Sequence, residues 1–232
     1  MIAGAAIGAL IDFSFMRALF KRVKSGPISS VAPVVATLGL LGVLQAIVRF
    51  TWGLENRSIE SPVDTVGFRI GERTLPFSPL NLLIVVAVSL ALIVLAIIFQ
   101  KTEIGLSLRA SAYSPEISKL SGIKVDSVRT IGWSIAGAAG GLAGMLATTV
   151  SVLNPYSLDI LLVFGFVAAV IGGLESLTGA VAGALILGLA INLAVAFINS
   201  QMIFPTLFLI LILVLILKPN GLFSRRKLRG DS

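Results

Sequence analysis

Ser114, Pro115, Glu116, Lys119 and Gly122 are spaced as a short self-contained helix. A serine caps a helix N-terminus and a proline suits the first helical position. Glu116 complements the positive end of the helix dipole and Lys119 the negative end. Gly122 suits the left-handed stop, and Ile117 and Leu120, three apart, share an apolar face. The chemistry on offer is recognition, since an amphipathic helix of this kind is a handle for a partner. Catalysis has little to work with. The chain has no Cys and no His, which removes thiolate nucleophiles, disulfides and the commonest metal ligand and proton shuttle. It also has no Gly-x-x-x-x-Gly-Lys-Ser/Thr phosphate loop.

The elements that hold this helix are apolar. Of 232 residues, 56% are hydrophobic and 12% charged, with a mean hydropathy of +1.02. Globular domains carry about twice that charge fraction, so the expected fold class is an all-α polytopic transmembrane helix bundle, read as one transmembrane domain over 1–232. A span needs about 20 residues. Segments 31–50, 80–99, 128–153, 160–174, 179–198 and 203–217 meet or approach that length. The opening run 1–15 is shorter and reads as the tail of a span that begins upstream, giving about seven segments.

The charge of +7 does not point to nucleic acid, because the basic residues flank the apolar runs. Segment 12–24, the polar loop 101–127 with Arg129 beyond it, and the tail after 217 hold most of the eighteen basic residues. These are alternate connections and so lie on one side. Arg49, Arg57, Arg69 and Arg73 fall on the other side, balanced by Glu55, Glu60, Asp64 and Glu72. The positive-inside rule puts the N-terminus outside and the C-terminus in the cytoplasm. The outside loop 51–79 is punctuated by Gly67, Gly71, Pro76 and Pro79. Alternation over 66–70 suits a small hairpin, and the loop reads as a solvated connector or, alternatively, as a docking surface for an extracytoplasmic partner.

Helices in lipid associate through small residues. Gly132, Ala136, Gly140, Gly144 and Thr148 recur every four residues along one span. Ala180, Ala184, Gly188 and Asn192 do so along another, which also carries Gly183. Both series read as packing strips. Asn192, an amide in hydrocarbon, needs a partner, and an interhelical hydrogen bond is the expected one. Thr37 and Gln45 share a helix face and either line a polar path or bond to neighbouring helices. Asn192 joins them as a candidate path residue. Apart from Arg49 near an end, no span is expected to carry an ionisable residue at its centre, which argues against a pump driven by a titrating side chain.

Taken together, these residues resemble the permease subunits of branched-chain amino acid ABC importers, of the high-affinity leucine/isoleucine/valine uptake family and its shorter permease type. The resemblance rests on the run from Val35 to Gly53 and on Gly105, Arg109 and Ala110 followed by Leu120, Gly122 and Ile123. It continues through the run from Phe164 to Leu189 and the tail Leu217 to Phe223. Three positions depart from the pattern. The family has one or more spans before the residue matching Met1, Ala is frequent at Ser118, and Gly is common at Glu175.

The resemblance implies alternating access driven by a separate ATPase. Gly105, Arg109, Ala110 and Ser114, with Glu116, Leu120 and Gly122, would form the ATPase-coupling segment. ATP and magnesium would sit on the partner ATPase, with no cofactor on this chain. The other implied partners are a second, homologous permease subunit and an extracytoplasmic solute-binding protein, in a bacterial plasma membrane and with no nucleic acid. A permease for urea, short amides or sugars stands as an alternative within the class. An ATPase-independent channel or secondary transporter, or a truncated fragment, stands outside it.

Overall fold

The computed structural model describes residues 1–22, 28–57, 63, 67, 69–70, 73–74, 77–156, 158–174, 176–219 and 221–223. Lys24, Glu60, Asp64, Val66, Gly71, Glu72, Pro76, Glu175 and the basic tail 224–232 lie outside the described residues. The chain divides into two compact units, Met1–Pro155 and Tyr156–Ser232.

The first unit opens with α1 (Ile2–Ile11), which runs through a π-helical turn (Asp12–Met16) into α2 (Arg17–Arg22). This corrects the short first segment expected over 1–15. The helix passes through Asp12 and Arg17, and Ile2–Phe20 is long and apolar enough to cross a membrane. It also corrects the expectation of spans free of interior charge, because Asp12 lies within that stretch. The physical reason is local: Asp12 is fully buried and ion-paired, so its charge does not end the helix.

Next come α3 (Ile28–Trp52), a two-stranded antiparallel hairpin and α4 (Pro79–Lys101). The hairpin pairs β1 (Arg69–Ile70) with β2 (Arg73–Thr74) in the register Arg69↔Thr74 and Ile70↔Arg73. Ser78 caps α4 by accepting from the Asn81 backbone N–H, with Pro79 in the first turn. Two shorter helices, α5 (Glu103–Tyr113) and α6 (Pro115–Leu120), lead into α7 (Val125–Thr148). Beyond α7, Arg57 and Leu153 exchange two backbone hydrogen bonds of 3.0 and 2.8 Å, tying the loop after α3 to the loop after α7.

Within this unit α1 packs on α7 through backbone rather than side chains. A Cβ on Gly4 would strike the carbonyl of Gly137, and one on Gly8 the carbonyl of Trp133. Both helices therefore present Gly-x-x-x-Gly to each other, at Gly4 and Gly8 and at Gly137 and Gly141, the small-residue approach that lipid favours. The expected strip on α7 lies one helix face away. Gly140 meets open space, Ala136 is exposed, and Gly132 touches only the Leu108 side chain. Gly144 is half-buried.

The second unit holds α8 (Asp159–Gly172), α9 (Leu177–Phe197), a 3₁₀ turn (Ser200–Met202) and α10 (Ile203–Leu217). At 14 residues, α8 is about 21 Å long and shorter than a bilayer core of about 30 Å. Val167, Ala168, Ile171, Leu187, Leu207 and Val214 form the unit's core. Gly183 carries the α9 backbone against the carbonyl of Ala168, while Gly188 faces open space. The chain then folds back: Leu222 and Phe223 donate backbone N–H groups to the Ile171 and Gly172 carbonyls, at 2.8 and 3.1 Å. They satisfy the end of α8, whose last carbonyls have no intrahelical partner. Gly221, at φ +88° and against Gly173, permits the turn. Among the described residues, six helices are long and apolar enough to span a membrane, with α8 a shorter apolar seventh. The protein is an all-α polytopic membrane bundle.

Candidate functional site

The polar device expected around Ser114 is two helices set at a corner. Thr102 ends α4 and begins α5 in an extended conformation. Its hydroxyl donates to the Ile98 carbonyl at 2.6 Å and accepts from the Gly105 N–H at 3.1 Å. Gly105 is buried, and a Cβ there would strike the Ile98 carbonyl. This glycine is needed because α5 starts folded onto the last turn of α4. Arg109 is exposed on α5, and Ala110 is half-buried, its carbonyl accepting from the Ser114 N–H at 3.1 Å.

Ser114 is extended at the joint between α5 and α6. Its Oγ accepts from the Ile117 N–H at 3.4 Å, and Pro115 follows at the first helical position. Glu116 is exposed in the first turn and Lys119 lies in the last. The stop has the Schellman form. Gly122, at φ +82°, donates to the Lys119 carbonyl at 3.1 Å, and Ile123 donates to the Ser118 carbonyl at 3.0 Å. Ser118 is buried, whereas Ile117 and Leu120 are 63% and 89% exposed. Tyr113 and Leu106, on α5, are exposed as well. The segment is braced at both ends while its apolar side chains point away from the unit, an arrangement that suits docking.

Two of the candidate path residues bond within their own helices. The Thr37 hydroxyl donates to the Val34 carbonyl at 2.9 Å, while at Gln45 the main-chain carbonyl accepts from Arg49 Nε at 3.3 Å. The Asn192 amide nitrogen donates to the Gly188 carbonyl one turn back at 2.8 Å. The interhelical bond expected for that amide group is thus replaced by one within α9.

One cluster escaped the sequence reading. Asp12 has both carboxylate oxygens engaged across to α7. Arg129 Nε donates to Oδ1 at 2.8 Å and the Thr130 hydroxyl donates to Oδ2 at 2.6 Å. Arg17 Nη2 donates to that same Thr130 oxygen at 2.8 Å, and its Nε lies 3.6 Å from Asp12. Each guanidinium also lies over an aromatic ring, Arg17 over Phe13 at 5.0 Å and Arg129 over Phe20 at 4.8 Å. Asp12 to Arg17 is a five-residue step, the hydrogen-bond spacing of the π turn that holds them. That spacing is the signal the sequence offered. No group of three or more metal-ligating side chains occurs among the described residues.

Comparison with known proteins gives this arrangement a context. The family described as branched-chain amino acid transport system / permease component matches residues 1–217. The high-affinity branched-chain amino acid transport system permease protein LivH of Salmonella typhimurium is 30% identical over 233 residues. Those residues cover 97% of this chain and 75% of that one. The probable branched-chain amino acid transport permease protein LivH of Methanocaldococcus jannaschii is 29% identical, covering 95% of this chain and 71% of its own length. A shorter match, 35% identical over 69 residues, is to the nucleoside ABC transporter permease protein NupB of Lactococcus lactis subsp. cremoris. It covers 30% of this chain and 19% of that protein. No solved structure matches. With nearly its whole length matched, and a bundle of apolar helices that carries a braced polar segment, this chain belongs to the branched-chain amino acid transport system permease family.

Proposed function

We propose that this chain is the membrane-spanning permease subunit of an ABC importer for branched-chain amino acids, working in the plasma membrane by alternating access. A separate cytoplasmic ATPase binds and hydrolyses ATP, a solute-binding protein delivers substrate from outside, and a second permease subunit completes the pathway. The observation that carries this reading is the α5–α6 segment in a chain of this family. It exposes Ile117 and Leu120 while its ends are fixed by Thr102, Gly105 and the Gly122 stop. An ATPase that seats against it can move it as a solid piece. Because the segment is not free to flex, the displacement reaches α7 and is not absorbed in the loop.

The test is purification of the tagged chain from its native membrane, followed by uptake in vesicles. The reading expects ATPase and binding-protein subunits in the eluate and ATP-dependent leucine uptake that excess isoleucine and valine suppress. Uptake suppressed by a nucleoside instead would place the chain nearer the relative from Lactococcus. Uptake without ATP would remove it from the ABC class.

A further inference from the structure

Resting on the reading of α5–α6 as the ATPase-coupling segment, we propose that Asp12 is a positioning residue for transport. It locks the first helix to the base of α7, so that a displacement of the coupling segment carries α1 with it.

The mechanical path is continuous. α6 ends in the hydrogen-bonded stop at Gly122 and Ile123. Val125, Ser127 and Val128 then donate to the Ile123 and Lys124 carbonyls, so α7 begins at once. Arg129 and Thr130 lie one turn further on, and both hold Asp12. From there α1 follows α7 along the paired glycines.

The paired glycines set how closely α1 approaches α7, and the turn of the helix beyond them is held by side chains. A carboxylate engaged at both oxygens by two neighbouring side chains has one acceptable position, so Asp12 fixes the register at that end. Buried ion pairs add little stability compared with apolar residues of the same volume, and specifying register is their best-attested use. The cluster is also short of acceptors. Arg17 Nε and one terminal nitrogen of Arg129 are buried without a hydrogen-bond partner, and the other acidic neighbour, Asp126, is 3.4 Å from Arg129 and mostly exposed. Loss of the Asp12 charge therefore leaves the two guanidinium groups with no buried counter-charge among the described residues. The lock opens rather than rearranges.

The experiment uses the assembled transporter in liposomes and reads ATPase retained on the tagged chain, ATP hydrolysed, and substrate accumulated per ATP. Asp12→Asn should retain the ATPase at the wild-type level while substrate per ATP falls about tenfold, inside the usual range of coupling energies. Thr130→Val, which keeps the ion pair, should give a smaller fall in the same ratio, and Thr130→Ser should restore it. If Asp12→Asn fails to insert, the two Thr130 variants decide. A ratio within about twofold of wild type in Asp12→Asn and Thr130→Val overturns the proposal. So does loss of ATPase binding in both, since Asp12 would then only hold the fold. If the wild-type chain itself retains no ATPase, the coupling reading has failed first and the lock falls with it.

Discussion

The α-carbon of Gly105 sits so close to the carbonyl of Ile98 that no side chain fits between them. The first polar helix is thereby folded back onto the span it follows, and Thr102 bonds to both sides of the corner. This contact makes the segment 103–120 an extension of α4 rather than a loose loop.

Gly105→Val should displace α5 from α4. Forcing added carbons into a close backbone contact costs about 1–3 kcal/mol. The expected outcome is a chain that inserts normally but melts several degrees lower in detergent and loses ATPase on purification. An unchanged melting temperature with full ATPase retention would show that the corner is not fixed as described.

Gly122→Val acts at the other end. A left-handed conformation costs an L-residue roughly 1–2 kcal/mol, and the Schellman bonds from Gly122 and Ile123 depend on it. Hydrogen exchange should quicken at the Ile123 amide and through α6, with the α7 amides beyond Thr130 unaffected. Gly122→Asn, which tolerates that conformation better, should fall between the two.

Gly183 and Gly188 form a matched pair on α9. Gly183→Leu drives a side chain into the Ala168 carbonyl, whereas Gly188→Ala enters open space. The first should lower stability by about 1–3 kcal/mol. The second should be neutral or slightly stabilising, because alanine is the better helix former. Thermal unfolding of the two variants in one detergent checks the contrast.

Much of the α5–α6 segment was legible in sequence because its signals are local. A serine cap, a following proline and a terminal glycine define a helix from within a dozen residues, and all three do so here. The helix before it was less legible, since Gly105 has a reason only once α5 is seen against α4. Asp12 was hidden for the opposite cause. Its partners Arg129 and Thr130 are more than a hundred residues away, and beside Arg17 it looked like the start of a charged loop. The packing face of α7 could not be chosen from composition. Small residues occur at Ala136, Gly137, Gly140 and Gly141 alike, so a rotation of about 100° per residue separates the strip expected from the one α1 uses. Asn192 shows the same limit: the sequence showed that its amide needs a partner, and only the structure showed the partner on its own helix.

In the assembled transporter Ile117 and Leu120 should face the ATPase, and because the chain has no cysteine a single introduced thiol can report it. A single Leu120→Cys substitution supplies the only thiol, on a side chain that is 89% exposed. In native membranes a thiol-directed crosslinker should join it to the ATPase subunit in a yield that changes with ATP. Phe50→Cys, equally exposed at the far end of α3, should give no such adduct. No ATPase adduct from Leu120→Cys or Ile117→Cys, in membranes where ATP-dependent uptake is intact, would contradict the account.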